Sequence, residues 1–328
     1  MTYWRDKKVL VTGAGGFIGS HLTEALLKEG AEVTAFIRYT SENSLGWLAE
    51  HHSNDSIRFL YGDLNNPETV RGAVRNQEVV FNLAALIGIP YSYVNPEECV
   101  SNNLSSTLNV LAAARDLGVE RVVQTSTSEV YGTAQYAPMD EKHPKQPQSP
   151  YSASKIACDA VALSYNNSFD LSVSIVRPFN TFGPRQSTRA VIPTIITQAI
   201  SGSKIKLGSG HTTRDFLYVE DTAKGFMAIG ESNNTIGKEV NIGTGVEISI
   251  DDLAKLICSL IDGNLEFEVD SNRIRPENSE VGRLLCNADL AGELTGWKHD
   301  VSLEEGLRRT IEWFKTHGTQ RDYGSYRV

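Results

Sequence analysis

The sequence predicts an α/β protein in which helices cover both faces of a doubly wound parallel sheet, followed by a smaller mixed α/β domain. Two observations carry this prediction. Short β-branched or apolar runs, such as residues 8–12 and 32–37, alternate with segments whose apolar residues recur at helical spacing. A glycine-rich loop stands between the first strand and the first helix. Strands that alternate with helices form parallel sheets, because each helix carries the chain back to the same edge.

The predicted elements follow one another regularly up to about residue 179. Strands are predicted over residues 8–12, 32–37, 57–61, 78–85, 122–126 and 172–177, and helices over 20–30, 100–117 and 151–169. Beyond this point Gly, Pro, Ser and Thr become more frequent and the alternation stops. We therefore predict a larger domain over residues 1–179 and a smaller one over 180–328, with segments near 216–245 returning to the larger domain. A helix over 302–317 closes the fold, and the polar tail 321–328 is expected to be loose.

Composition limits the class of partner. The 328 residues are 40% hydrophobic and 22% charged, with a formal net charge of -9. A chain with this charge is not expected to bind nucleic acid or an anionic membrane, because both surfaces repel negative charge. The expected partner is therefore a small molecule, held in a globular protein with a sizeable core.

Cysteine and histidine spacing argues against a metal site, and the N-terminal residues against secretion. The chain has four widely spaced cysteines, Cys99, Cys158, Cys258 and Cys286. They show no C-x-x-C or Cys/His spacing, so we expect reduced packing residues and no metal. His143 and His211 lack nearby ligand partners and are expected to face solvent. The chain enters its first strand without a leader, and no apolar run has membrane-spanning length, so the protein is predicted to be cytoplasmic.

The loop GAGGFIG joins the first strand to the first helix. Gly13, Gly16 and Gly19 form G-x-x-G-x-x-G around Phe17 and Ile18, a variant of the dinucleotide-binding fingerprint. Such glycines allow a tight turn, close approach of a pyrophosphate and packing of the helix on the strand. The helix N-terminus then faces the anion. The pattern predicts a dinucleotide cofactor.

The end of the second strand bears on which dinucleotide is bound. An Asp or Glu usually stands there in NAD-binding proteins and bonds the ribose hydroxyls. This chain has Phe36, Ile37 and Arg38 instead. A guanidinium without a carboxylate suits a 2'-phosphate, which it can bind through charge-assisted hydrogen bonds. We predict NADP, and the alternative is a surface arginine with NAD held by other groups.

A Tyr/Lys pair is the central chemical motif. Tyr151 and Lys155, in YSASK, are four residues apart and so lie on one face of a predicted helix. An ammonium beside a phenol favours the phenolate, so we expect Lys155 to lower the pKa of Tyr151 toward that of a general base. A solvated pair on an exposed helix face is the alternative. The upstream segment TSTSEVYG, residues 125–132, adds hydroxyls and a carboxylate at the end of a buried strand.

Together these motifs resemble the extended short-chain dehydrogenase/reductase family, whose members use a Rossmann domain, a nicotinamide cofactor and a Tyr/Lys pair on nucleotide sugars. The resemblance covers nearly the whole chain. It implies that Asp63 and Leu64, after the third strand, meet the adenine, and that the backbone near Ala84 approaches the cofactor. It also implies that Thr127 bonds the sugar 4-hydroxyl.

Ser128 and Glu129 resemble the Ser-Glu pair of the 4,6-dehydratase branch, such as GDP-mannose 4,6-dehydratases. In that chemistry Tyr151 takes the proton of the 4-hydroxyl as hydride leaves carbon 4. The resulting ketone acidifies carbon 5, from which Glu129 removes the proton. Water then leaves carbon 6 with a proton from Ser128 or Glu129, a choice that stays open. The alternatives are that Glu129 is a capping or salt-bridging carboxylate, and that the enzyme is a 4-epimerase.

The resemblance extends to substrate binding. It implies that Asn180, in RPFNTFGP, bonds the sugar or its phosphate, and that Arg214 and Arg275 clamp the diphosphate or ribose. Each arginine could instead form an ordinary surface ion pair. Asp221 is expected to cap the helix that follows it.

The loop at residues 86–98 and the segment after Arg275 bear on the sugar. The loop lacks the His common in glucose- and mannose-nucleotide dehydratases. Together the two segments resemble those of dehydratases acting on N-acetylglucosamine nucleotides on the way to legionaminic-type sugars. The resemblance leaves GDP and UDP open. It also implies a homodimer paired through the helices at 100–117 and 151–169.

Overall fold

A computed structural model describes residues 2–202, 204–261 and 266–317 of the protein. It contains thirteen strands in this part of the chain. They are β1 (Lys8–Thr12), β2 (Glu32–Arg38), β3 (Ile57–Gly62), β4 (Val79–Asn82), β5 (Arg121–Thr125), β6 (Val173–Pro178), β7 (Asn180–Phe182), β8 (Ile205–Leu207), β9 (Thr213–Tyr218), β10 (Glu239–Ile242), β11 (Glu247–Ser249), β12 (Phe267–Val269) and β13 (Arg283–Leu284).

The helices lie between these strands and after the last of them. They are α1 (Phe17–Lys28), α2 (Pro67–Val74), α3 (Ile89–Val94), α4 (Pro96–Leu117), α5 (Pro150–Phe169), α6 (Val191–Ile200), α7 (Val219–Glu231), α8 (Ile250–Leu260), α9 (Asp289–Thr295) and α10 (Leu303–His317). Short 3-10 turns add to them, and the one at Ser128–Tyr131 directly follows β5. None of the helices in the described part of the chain is long and apolar enough to cross a membrane.

The main sheet has seven strands in the order β10, β6, β5, β4, β1, β2, β3, and every neighbouring pair is parallel. The order reverses direction at β1, as in a doubly wound sheet, so the predicted Rossmann-like α/β fold is confirmed. Four of the five residues of β1 and all of β4 are buried. Continuous apolar strands of this kind suit a sheet covered by helices on both faces.

The second half of the chain contributes to both parts of the molecule. β10 pairs with β6 in the main sheet, and α7 packs on α1. A smaller mixed sheet has β9 paired with β7, β11 and β13, and a two-stranded sheet joins β8 to β12. α6, α8 and α10 pack over a second apolar core that includes Phe182, Ile195 and Leu253. The domain boundary after residue 179 stays a prediction.

The structure differs from the sequence-based expectation between residues 86 and 98. This segment, expected to be a loop, contains α3, and α4 starts at Pro96. Pro stands within the first two positions of both helices, where its missing N–H costs nothing. The tail at residues 321–328, predicted to be loose, lies outside the described residues.

Candidate active site

The glycine-rich loop has the geometry that close approach of a dinucleotide requires. Gly13 has a φ of +68°, and a Cβ there would meet the backbone of Ala84 at 3.2 Å. A Cβ at Gly19 would lie 2.2 Å from the carbonyl oxygen of Gly13. Gly16 is the N-cap of α1, and no side chain caps this helix, so its first-turn N–H groups are presented to an anion. Phe17 and Ile18 form that first turn.

Three buried polar side chains cross the carboxyl ends of β1, β4 and β5, and sequence analysis missed them. Thr12 Oγ1 donates to Asn82 Oδ1 at 2.8 Å, and Asn82 Nδ2 donates to Gln124 Oε1 at 2.9 Å. Thr12 Oγ1 also accepts from the backbone N–H of Ala84 at 3.1 Å. This chain of bonds fixes the loop after β4 against the glycine-rich loop. Asn82 and Gln124 are polar residues inside apolar strands, which is the signal that could have revealed them.

The other predicted cofactor residues lie at the same edge of the sheet. Arg38 ends β2, is exposed, and pairs in register with Gly62 of β3. Asp63 follows β3 and is exposed, and its Oδ1 accepts from the backbone N–H of Asn65 at 2.9 Å. Leu64 is buried beside α4, where its carbonyl oxygen accepts from Asn109 Nδ2 at 2.8 Å. The structure thus places all of these residues where parallel strands end.

Tyr151 and Lys155 lie on the first two turns of α5. Ser149 caps this helix and forms a capping box with Ser152, and Pro150 occupies the first turn. Both residues of the pair are buried, so the alternative of a solvated pair on an exposed face is wrong. Lys155 Nζ donates to the carbonyl oxygen of Thr125 at 2.5 Å, which ties α5 to the end of β5.

The pKa of Tyr151 moves opposite to the sequence-based expectation. Burial raises it well above the usual range for tyrosine, although a hydrogen bond with Thr127 lowers it. The negative charge of Glu129 raises it further. Desolvation therefore outweighs the favourable neighbours. A positively charged ligand beside the phenol would act in the other direction, because it favours the phenolate.

Thr127, Ser128 and Glu129 begin the 3-10 turn after β5. Thr127 is its N-cap, and Thr127 Oγ1 accepts from the backbone N–H of Glu129 at 3.3 Å. Ser128 is buried, whereas Thr127 and Glu129 are half-buried. The negative charge of Glu129 raises the pKa of Tyr151, so its carboxylate lies near enough for the two groups to interact electrostatically. The turn therefore brings the hydroxyl of Thr127 and the carboxylate of Glu129 to Tyr151.

The two predicted substrate arginines meet near Glu129 although they are far apart in sequence. Arg214, on β9, is 6% exposed, and burial lowers its pKa while the charge of Glu129 raises it and that of Arg275 lowers it. Glu280, which sequence analysis missed, lies 3.7 Å from Arg214 Nη2 and 4.0 Å from Arg275 Nη1. Two guanidinium groups that share a neighbouring carboxylate suit a substrate that carries negative charge.

Two buried polar atoms at this site lack hydrogen-bond partners among the described residues. They are Asn180 Oδ1 and Arg275 Nη1. An unpaired buried polar atom costs about 1–3 kcal/mol, and others occur elsewhere in the described residues, such as Thr23 Oγ1 and Gln77 Oε1. Asn180 and Arg275 were both predicted to bind substrate, and both have unused hydrogen-bonding capacity.

The comparisons with known proteins identify the family. The family model of GDP-mannose 4,6 dehydratase matches residues 10–310. The chain belongs to the extended short-chain dehydrogenase/reductase family. The resemblance of the motifs to this family is therefore confirmed, and so is the expectation of a nicotinamide cofactor, since solved members contain NAD.

Relatives within the extended short-chain dehydrogenase/reductase family include both epimerases and dehydratases. The UDP-glucose 4-epimerase of Mycolicibacterium smegmatis is 34% identical over 94% of this chain and 98% of its own. A double mutant of the dTDP-glucose 4,6-dehydratase from Streptomyces venezuelae, solved with NAD, has a TM-score of 0.86 and 27% identity over 94% of this chain and 96% of that one. A mutant UDP-glucuronic acid 4-epimerase from Bacillus cereus, also with NAD, has a TM-score of 0.88 and 28% identity, covering 95% and 100%.

Two further sequence-based expectations are wrong. His143 is 2% exposed rather than solvent-facing. Its Nε2 accepts from the backbone N–H of Gln135 and its Nδ1 donates to the carbonyl oxygen of Pro144, both at 2.9 Å, which defines a neutral tautomer. Asp221 does not cap α7, because Tyr218 is the N-cap. Its carboxylate instead accepts from the backbone N–H of Val301 at 2.8 Å.

Proposed function

We propose that the protein is an NAD(P)-dependent nucleotide-sugar 4,6-dehydratase, with GDP- or UDP-N-acetylglucosamine as its substrate. The observation that carries this proposal is the half-buried carboxylate of Glu129, whose negative charge raises the pKa of both Tyr151 and Arg214. A 4-epimerase needs the Tyr/Lys pair but no second base. A carboxylate at this point is what removal of the carbon 5 proton requires.

Tyr151 is the proposed base for the sugar 4-hydroxyl. Lys155 lies one turn later on α5, where its ammonium donates to the Thr125 carbonyl. Thr127, whose hydroxyl lowers the pKa of Tyr151, orients the sugar hydroxyl or the ketone oxygen that replaces it. A bound nicotinamide would accept hydride from carbon 4 and return it to carbon 6, so the net reaction is elimination.

Glu129 is the proposed base for carbon 5. Once carbon 4 is a ketone, the carbon 5 hydrogen is acidic, and Glu129 takes it as a proton. The carbon 6 hydroxyl then leaves as water with a proton from Glu129 or from the buried Ser128. When hydride returns to carbon 6, carbon 5 takes up a proton from solvent through Glu129, and this is the position where solvent deuterium would enter the product.

Arg214, Arg275 and Asn180 are the proposed ligands of the nucleotide diphosphate and sugar. The guanidinium groups provide charge-assisted, bidentate hydrogen bonds. Arg275 Nη1 and Asn180 Oδ1 are buried and lack hydrogen-bond partners among the described residues. A bound substrate would supply those partners. Glu280, between the arginines, would keep both side chains extended before substrate arrives.

NADP is the proposed cofactor and NAD the alternative. The exposed Arg38 at the end of β2 supports NADP, since it offers a guanidinium where NAD-binding proteins usually place a carboxylate. Solved relatives that contain NAD favour the alternative. Denaturing the purified protein and identifying any released dinucleotide by mass spectrometry, with both added cofactors as competitors, distinguishes the two.

A homodimer paired through α4 and α5 is proposed from the family resemblance. Within the chain these two helices pack against each other. Leu108 on α4 and Phe169 on α5 are exposed apolar residues that a second copy could cover. Sedimentation of the wild-type protein and of a Leu108→Glu variant tests this assembly. The wild type should sediment as a dimer and the variant as a monomer.

The test of the reaction uses a panel of GDP- and UDP-N-acetylglucosamine, GDP-mannose and dTDP-glucose in deuterated water. A dehydratase yields a product that has lost one water and gained solvent deuterium, and the productive substrate identifies the nucleotide. Isomerisation without deuterium would identify the second candidate, a 4-epimerase, which the epimerases among the relatives favour.

A further inference from the structure

A buried charged network lies directly behind the Tyr151/Lys155 pair. Its centre is Arg177 on β6, whose side chain is fully buried, as is that of Asp159 on α5. Arg177 Nη2 lies 2.9 Å from Asp159 Oδ2 and 2.9 Å from Glu239 Oε2. Arg177 Nη1 donates to the hydroxyl of Tyr131 at 2.6 Å. The proposed chemistry uses none of these groups.

Ser126 connects this network to the end of β5. Its hydroxyl donates to Asp159 Oδ2 at 2.5 Å, and its backbone N–H donates to the carbonyl oxygen of Val176 at 2.7 Å. Ser126 lies between two residues that contact the pair. Thr125 accepts the hydrogen bond of Lys155, and the hydroxyl of Thr127 lowers the pKa of Tyr151. Asp159 therefore accepts a hydrogen bond from Ser126, the residue that lies between Thr125 and Thr127 in the chain.

The spacing of residues along α5 means that two hydrogen bonds, one turn apart, join this helix to the end of β5. Tyr151, Lys155 and Asp159 follow one another at intervals of four residues and so share one face of the helix. Lys155 bonds Thr125 and Asp159 bonds Ser126, so two neighbouring residues of β5 and its loop are joined to two successive turns of α5. A single bond would allow the helix to rotate or slide, whereas two bonds one turn apart do not.

We propose that Asp159 is a positioning residue for the Tyr151/Lys155 pair, acting through the hydroxyl of Ser126 on the end of β5. The proposal rests on the proposed function of Tyr151 as a base. It assigns the buried ion pair with Arg177 to orientation of the site rather than to stability alone.

Two observations favour orientation over stability. Replacing a buried ion pair with apolar residues is often neutral or stabilising, because desolvation offsets the attraction between the charges. In addition, Asp159 Oδ1 is buried without a hydrogen-bond partner among the described residues, so one of its two oxygens is used and the other is not. A group kept only for stability would be expected to satisfy both.

Asp159 also acts on Tyr151 through its charge, which raises the pKa of the phenol. The titratable and charged groups around Tyr151 and Asp159 come from every element packed there: Cys99 from α4, Glu129 from the 3-10 turn, Lys155 and Cys158 from α5, Arg177 from β6 and Glu239 from β10. Neutralising Asp159 removes one negative charge and leaves Arg177 less compensated. Both changes favour the phenolate, so the pKa of Tyr151 should fall.

The test compares Ser126→Ala and Asp159→Asn in the full-length protein, with Asp221→Asn as the control. Asp221 is equally buried, but its carboxylate accepts from the backbone N–H groups of Asp300 and Val301, away from Tyr151. Ser126→Ala removes this bond, together with the one that Ser126 Oγ accepts from Arg177 Nε at 3.3 Å, and keeps the charge of Asp159, whereas Asp159→Asn changes the bond and the charge. If Asp159→Asn fails to fold, Ser126→Ala alone decides, because it leaves the ion pair with Arg177 in place.

The expected result is a fall in kcat of about 10- to 100-fold for both variants, with KM within about twofold, as for a small displacement of reacting groups. The acid midpoint of the pH–kcat profile should move to lower pH in Asp159→Asn and stay unchanged in Ser126→Ala. Amide hydrogen exchange should increase locally at residues 125–129. Asp221→Asn should lower thermal stability without any of these three effects.

The proposal is overturned if Ser126→Ala and Asp159→Asn behave like Asp221→Asn, with lower stability but unchanged kcat, pH midpoint and local exchange. Failure of the proposed function is a separate result, in which the wild-type protein converts no nucleotide sugar in the panel. Hydrogen exchange then decides the positioning role, because it needs no activity: faster exchange confined to residues 125–129 supports it, and uniform exchange rejects it.

Discussion

The ammonium of Lys155 donates a hydrogen bond to the main-chain oxygen of Thr125, 2.5 Å away, and this bond joins α5 to the carboxyl end of β5. The same oxygen accepts from Gln124 Nε2 at 3.2 Å, so the polar chain across β1, β4 and β5 ends at the lysine. A lysine ammonium has three donors, and two of them stay available for Tyr151 and a ligand. The end of the sheet thereby orients the Tyr/Lys pair.

Replacing Tyr151 with Phe should lower kcat by about 10²- to 10⁴-fold, the usual contribution of a general base. Tyr165→Phe is the matched control, because Tyr165 lies on the same helix and its ring packs against Phe169 without needing its hydroxyl. Its kcat should stay within about twofold of wild type. Steady-state assays with the productive substrate measure both. Full activity of Tyr151→Phe would assign the 4-hydroxyl proton to another group.

Replacing Glu129 with Gln should separate the two halves of the reaction. Formation of the 4-ketone should persist, whereas loss of water and incorporation of solvent deuterium should fall by about 100-fold or more, because the amide cannot remove the carbon 5 proton. Mass spectrometry of the quenched reaction measures both. Glu247→Gln, at a half-buried carboxylate paired with Arg283, is the control and should react normally. A nearly silent Glu129→Gln would instead indicate a 4-epimerase.

Replacing Arg275 with Gln should raise KM for the nucleotide sugar by about 10- to 100-fold, since a hydrogen bond to a charged group contributes about 1.5–3 kcal/mol. Its buried Nη1 lacks a hydrogen-bond partner among the described residues and is the atom that substrate would use. Arg283→Gln, which breaks an exposed pair with Glu247, should leave KM unchanged. Isothermal titration with the nucleoside diphosphate gives the same comparison without turnover. Equal effects of both variants would exclude a specific role for Arg275.

Replacing Gly19 with Ala should abolish tight cofactor binding, because the added methyl would lie 2.2 Å from the carbonyl oxygen of Gly13 and would displace the loop. Gly72→Ala is the opposite case. Gly72 lies in α2 with nothing within 4 Å of an added Cβ, so alanine should stabilise the protein by about 1 kcal/mol. Fluorescence titration with the dinucleotide and thermal unfolding measure the two effects. Normal affinity in Gly19→Ala would place the pyrophosphate elsewhere.

His21 should make stability depend on pH. Burial, assisted by the charge of Arg185, lowers its pKa from 6.5 to about 4. Between these values the unfolded chain binds a proton that the folded chain does not, so the free energy of unfolding rises with pH across this window and is lost as pH falls through it. The full change corresponds to roughly 3 kcal/mol.

A His21→Gln variant removes this titration, and urea unfolding from pH 7 to pH 4 measures it. The slope of unfolding free energy against pH should fall by about one proton. His52→Gln, at an exposed residue, should keep the wild-type slope. Identical slopes in His21→Gln and wild type would show that His21 titrates alike in both states.

Patterns among neighbouring residues were enough to predict much of the fold. The alternation of strands and helices, the spacing of Gly13, Gly16 and Gly19, and the four-residue interval between Tyr151 and Lys155 are properties of neighbouring residues. The parallel sheet follows from them, because crossover helices constrain strand direction. The polar residues Asn82 and Gln124 were visible in the apolar strands, but their bonding partners were not.

The sequence by itself determined the sheet, the glycine-rich loop and the identity of the Tyr/Lys pair, because short-range periodicity encodes all three. Only the tertiary structure decided that Arg214, Arg275 and Glu280 meet, that burial raises the pKa of Tyr151, and that Asp159 bonds Ser126. The physical reason is that burial and charge are sums over neighbours in space. Residues such as Glu129 and Arg214, 85 positions apart, become neighbours only when the chain folds.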